Sequence, residues 1–90
     1  MKTIKINPAT RTAEYAEMND AEILRFVGGY IVEMTDLNNG LAVHADLISN
    51  GKKFVIDDIE FAGNAVITGI TGHGLETNCP DDVFPVIEWR

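Results

Sequence analysis

From Phe26 to Leu47 the chain reads FVGGYIVEMTDLNNGLAVHADL: a glycine pair, an apolar/polar alternation, an Asn-Gly signal and a second alternation. Period-two patterning predicts strands, and Asn39-Gly40 in the central positions of a type I′ turn joins them as a hairpin. That turn sets Asn38 opposite Leu41, Met34 opposite Ala45 and Val32 opposite Leu47, giving one apolar face. A second turn at Asn50-Gly51 sets Leu47 opposite Phe54 and Ala45 opposite Ile56, which extends the face into a three-stranded meander.

Other segments follow the same logic. Thr3 to Ile6 alternates and then meets Asn7-Pro8, a short strand ended by a turn. Thr12 to Met18 reads as a strand, although AEYAEM also tolerates a helix. Asn19 is placed to cap a helix, with Asp20 in its first turn and Glu22 at the third position, and Ile23, Leu24, Phe26 and Val27 form its apolar stripe. Gly28 or Gly29 ends it in a left-handed conformation. The glycine pair follows a helix and lies in no GxGxxG or GxxxxGK[ST] pattern, so backbone geometry explains it better than a phosphate loop.

Downstream, Ala65 to Ile70 is β-branched between two glycines and predicts a central strand or one lying under the helix. Thr71-Gly72-His73-Gly74 reads as a loop, Pro80-Asp81-Asp82 as the start of a short helical turn, and 84–89 as a tail returning to the core or an edge strand. The predicted fold is one α+β domain over residues 1–90. Its antiparallel sheet has about four to five strands, with one main helix packed on one face.

Composition narrows the function classes. A 90-residue chain that is 46% hydrophobic and 23% charged is one globular domain whose marginal stability leaves a homo-oligomer open. Fourteen acidic residues against seven basic ones give net −7, which argues against direct binding to nucleic acid or an anionic membrane and for a basic partner surface. One cysteine permits neither a disulfide within the chain nor a CxxC motif, and a reducing cytoplasm fits it. MKTIKINPATR lacks an apolar h-region and reads as no secretory signal, and the uncharged stretch from Phe61 to Leu75 is too short and polar for a membrane span.

The hairpin registers also decide the outer face. They set Glu33 opposite Asp46, Thr35 opposite His44 and His44 opposite Asp57, and facing carboxylates repel. Glu33, Asp36, His44, Asp46, Asp57 and Asp58 are therefore the candidate protein-binding residues, edged by Lys52 and Lys53, with a plain solvated face as the competing explanation. Metal sets can be drawn from His44, Asp46 and Asp57, or from His73, Cys79 and Asp81, but neither has a recognised motif, so no metal or cofactor is assigned. Cys79 precedes a proline and two acids, surroundings that raise a thiol pKa, and Ser49 sits in a turn, so no nucleophile is assigned either.

Taken in order, AEILRFVGGYIVEM, GLAVHADL, GNAVITGITGHG and NCPDDVF resemble a family of small phage and bacterial proteins catalogued as domain of unknown function 3846. In that family a helix leads into a glycine pair, an aromatic residue and a strand, here Val27-Gly28-Gly29-Tyr30-Ile31-Val32-Glu33. A small-residue strand, here Gly63 to Gly69, precedes an acidic segment, here Pro80-Asp81-Asp82-Val83. FVIDDIEF departs from the Asn-containing segment that often follows the second hairpin in that family. The resemblance implies a phage or mobile-element accessory protein and supplies no catalytic residue.

Three functions follow, in order of preference. The first is a non-enzymatic protein that binds and modulates or inhibits a host or phage protein through an acidic surface, as a nucleic-acid mimic would. The second is a small-ligand binder for a nucleotide or metabolite, a homodimer in one form of the idea, using Tyr30, His73 and Trp89. An enzyme ranks last, because no triad, metal motif or phosphate loop is visible.

Overall fold

The computed structural model describes residues 1–28, 32–46 and 48–90, so the expectations that fall on Gly29, Tyr30, Ile31 and Leu47 lie outside the described residues. Among the described residues the fold is α+β, mostly strand with one helix. β1 (Lys2–Asn7) and β2 (Thr12–Glu17) form a hairpin, so AEYAEM is strand and not helix.

Helix α1 (Asp20–Val27) starts and stops as its sequence requires. The Asn19 side chain accepts the Glu22 N–H at 2.9 Å and the Glu22 carboxylate accepts the Asn19 N–H at 3.2 Å, a complete capping box. Gly28, at φ 73°, donates its N–H to the Leu24 carbonyl at 2.9 Å and closes the helix. Ile23 and Val27, one turn apart, are buried with Met18 and Val66, while Leu24 is 56% exposed. Phe26 packs partly buried against the same cluster, so the predicted stripe holds at Ile23, Phe26 and Val27 and fails at Leu24, which the short helix turns toward solvent.

Four further strands complete the main sheet: β3 (Val32–Asp36), β4 (Leu41–Asp46), β7 (Ala65–Ile70) and β8 (Glu76–Thr77). Its order is β2-β1-β7-β4-β3, with β8 also on β7, six strands among the described residues and every pairing antiparallel. β5 (Lys53–Ile56), β6 (Ile59–Ala62) and β9 (Glu88–Trp89) form a second sheet in the order β6-β5-β9. That is more strand than the sequence predicts, and it makes three layers of helix, sheet and sheet. Ile4, Ile6, Val43 and Ile67 of the main sheet meet Phe54, Ile56 and Phe61 of the second in the larger core. Among the described residues no helix is long and apolar enough to cross a membrane.

Two expectations are corrected here. The β3–β4 loop holds three residues and not two: Asn38 (φ 63°) and Gly40 (φ 83°) are left-handed, and the Leu37 N–H bonds the Leu41 carbonyl at 2.9 Å. Side chains fix this loop, with Asp36 accepting the Asn38 N–H at 2.7 Å and Asn39 accepting the Leu41 N–H at 3.2 Å. The register moves by one residue, so Glu33 faces Ala45, Met34 faces His44, and Val32 faces Asp46.

The meander is also absent. β4 takes β7 as its second neighbour, and Asn50-Gly51 lies in the connection that carries the chain to the other sheet. There β5 pairs with β6 across Asp57-Asp58, whose φ values of 51° and 63° are those of a type I′ turn. The 80–82 segment is a turn without helix, and only Glu88–Trp89 of the tail forms strand.

Candidate functional site

These corrections redistribute the predicted site residues. Strand alternation puts Glu33 and Thr35 on the side of the second sheet and His44 and Asp46 on the helix side, so the facing carboxylates do not form. Asp36 ends β3 and holds the loop through its carboxylate. Asp57 and Asp58 occupy the exposed β5–β6 turn, so Asp57 does not lie opposite His44. Among the described residues, Glu33, Asp36, Asp46, Asp57 and Asp58 have no basic ion-pair partner.

What the fold brings together is a groove of about 370 Å³ between the main sheet at β3 and the second sheet at β6. Glu33 and Thr35 line one wall and Lys53 and Glu60 the other, with Ala45 and Phe61 also lining it and Asp46 and Ser49 near the connection. Two carboxylates, Glu33 and Glu60, therefore face one concavity with the Lys53 ammonium, which lies 3.6 Å from Glu60, and Asp46 borders it at the connection. Both groups of that pair are half exposed, so it is worth little. From sequence, Lys53 falls only at the edge of the acidic face and Glu60 only in its surrounding charge, with neither among the binding residues. FVI-DD-IEF, two short apolar runs around two turn-forming residues, carries the hairpin signal that would have placed them.

His44 is 6% exposed and belongs to the interior beneath the helix, not to an acidic outer face. Its Nε2 lies 2.9 Å from Thr68 Oγ1 in a hydrogen bond and 3.7 Å from a Glu76 carboxylate oxygen. Burial holds its pKa below the usual histidine value, while Glu76 and then Asp20 act in the opposite direction. A smaller pocket of about 260 Å³ opens beside it, lined also by Asp20, Leu24 and Val32.

This burial sets a pH dependence. The unfolded chain takes up a proton at His44 below about pH 6.5, whereas the folded protein resists until its lower pKa is reached. The contribution is present above the unfolded value and is lost as pH falls through the window between the two. Thermal unfolding should therefore show a lower Tm at pH 5 than at pH 7.5, and His44→Gln should narrow that gap. An equal gap in the variant would refute the assignment to His44.

The remaining candidates are separate from one another. His73 is exposed in a turn that Thr71 organises, its hydroxyl accepting the N–H of His73 at 3.3 Å and of Leu75 at 3.1 Å. Trp89 is half-buried in the second sheet, with its ring centroid 6.1 Å from that of Phe54. Cys79 is buried, and burial rather than its acidic neighbours pushes its thiol pKa up, against the influence of Lys2. Asp81 is paired with Lys2, which lowers the carboxyl pKa through that hydrogen bond. Among the described residues, no three His, Cys, Asp or Glu side chains converge as metal ligands.

Comparison with family models, curated proteins and solved structures yields no match, so the reading of the groove rests on its geometry and charge.

Proposed function

We propose that this protein is a small non-enzymatic accessory protein of the phage type. It acts in the cytoplasm by binding a basic surface of a host or phage protein and modulating or inhibiting it. The groove between β3 and β6 carries this reading, because Glu33 and Glu60 line one concavity from its two walls, with Asp46 at its border and Lys53 as the one cation among the described residues that line it. Its carboxylates take the place that phosphates occupy when a basic groove holds nucleic acid. The overall charge of −7 draws such a partner in and repels nucleic acid itself.

The test is salt-dependent association combined with charge reversal. Partner capture at low ionic strength should fade at 1 M salt, where the Debye length is about 3 Å. Glu33→Lys with Glu60→Lys should weaken capture by at least about tenfold, or 1.4 kcal/mol, with Tm unchanged. Asp46 is left intact because its carboxylate also accepts the Ile48 N–H at 3.2 Å. Equal capture by the double variant refutes the reading.

A second reading, small-ligand binding, is favoured by the pocket beside His44. Its volume of about 260 Å³ falls below the roughly 300–1,000 Å³ usual for ligand sites, so it suits a fragment-sized molecule better than a nucleotide. Thermal stabilisation by a metabolite, abolished by His44→Gln, would favour this reading over the first.

A further inference from the structure

We infer that the open edge of β3 is a docking strand for an extended basic segment of a partner protein, which adds to the main sheet beside Val32–Asp36. This rests on the acidic-groove reading and specifies how the partner is held. Among the described residues β3 has β4 on one side and no strand on the other. The Leu37 N–H on the Leu41 carbonyl fixes the hydrogen-bonding phase of the hairpin. Thr35 and Glu33 therefore sit in bonded pairs with Val43 and Ala45, and the N–H and C=O groups of Val32, Met34 and Asp36 point away from β4.

Those outward groups form a row that another backbone can complete. Natural edges are commonly blunted by lysine, proline or a bulge, and VEMTD contains neither residue and pairs with β4 without a skipped position. Its charge selects the occupant. A second copy of β3 would bring Glu33 and Asp36 of both chains onto one short stretch, where like charges repel. A segment with Lys or Arg at alternate positions would instead direct those side chains into the groove toward Glu33 and Glu60, while its backbone pairs with the edge.

A capped octapeptide of alternating Lys and Val is the probe, titrated calorimetrically into the protein at low salt. Met34→Pro removes one outward N–H and leaves the β3–β4 ladder intact, so binding should weaken at least about tenfold with little change in Tm. With the unaltered protein, the peptide N-methylated at every second residue is made in both phases. One phase should bind at least tenfold more weakly and the other like the parent.

Weakening in Met34→Pro and in one methylated phase, together with weakening by Glu33→Lys/Glu60→Lys, supports the proposal. Weakening by charge reversal alone, with both methylated peptides binding like the parent, overturns strand addition and leaves acidic binding standing. Sensitivity to Met34→Pro and methylation without sensitivity to charge overturns the acidic reading instead. No binding of the parent peptide, or a dimer in sedimentation that Met34→Pro dissociates, overturns the proposal.

Discussion

Phe54→Ala is expected to destabilise the protein by about 3–5 kcal/mol, the largest effect of any single side-chain truncation considered. Phe54 is fully buried between the two sheets. Its ring stacks on Phe61 at 5.5 Å and lies 6.1 Å from Trp89, so it joins all three strands of the second sheet. These strands have four, four and two residues, too little backbone pairing to hold position without the aromatic contact. A domain of this size has a total stability of roughly 5–13 kcal/mol, so the loss is a large share of it. Urea unfolding followed by the fluorescence of Trp89, the one tryptophan, measures it. Phe84→Ala is the comparison: that ring is 46% exposed and meets Tyr15 edge-to-face at 5.5 Å, a contact worth about 0.5–1.5 kcal/mol. Equal costs for the two variants would mean that Phe54 does not clamp the sheets together.

Gly69→Ala should cost about 1–3 kcal/mol although it adds a single methyl group. A Cβ on Gly69 would lie 2.3 Å from the Asn78 carbonyl oxygen and 3.0 Å from Thr77 Cγ2, so backbone has to move. The displaced segment is tied down on its far side. Asn78 accepts the Lys2 N–H on its side-chain oxygen at 2.8 Å, and the Cys79 N–H bonds the Lys2 carbonyl, also at 2.8 Å. Relieving the clash therefore strains β8 against β1 or breaks these bonds. At about 4–8 °C per kcal/mol, Tm falls visibly, and the buried Cys79 thiol should become reactive toward a thiol reagent at temperatures where the parent protects it. Gly72→Ala, with nothing within 4 Å of its Cβ, should be near neutral. An equally mild Gly69→Ala would refute the close approach of β7 and the 77–78 backbone.

The features legible in the sequence share one property: their conformations are set by neighbours a few positions away. Asn19, Glu22 and Gly28 specify both ends of α1 with side-chain and backbone bonds inside one short segment. The strands β1, β2 and β7 follow from alternation and β-branching in the same way, while the pairing of β1 with β2 is seen only in the structure. The β3–β4 register differs from the one the Asn-Gly signal predicts because Asp36 and Asn39 each bond the backbone two residues on, favouring a three-residue loop over the type I′ turn. That one-residue difference separated Glu33 from Asp46 and removed the acidic pair on which the candidate face depended.

His44 shows a different limit. In LAVHA a lone polar residue among apolar ones looks like the outward position of a half-exposed strand. β4 is in fact covered on both faces, by the second sheet and by the helix layer, and Thr68 on β7 supplies the hydrogen bond that makes a buried imidazole tolerable. Neither the covering layers nor Thr68 lies near His44 in the chain.

The sequence by itself determined the α+β class, the helix with its caps, the positions of most strands and the acidic charge, because propensity, capping and charge are properties of short segments. Only the tertiary structure decided that β4 joins β7, that 53–62 and 88–89 leave to build a second sheet, and that Glu33 and Glu60 share a groove. Those outcomes depend on which distant apolar faces bury each other best, a competition among long-range pairings that no local pattern records.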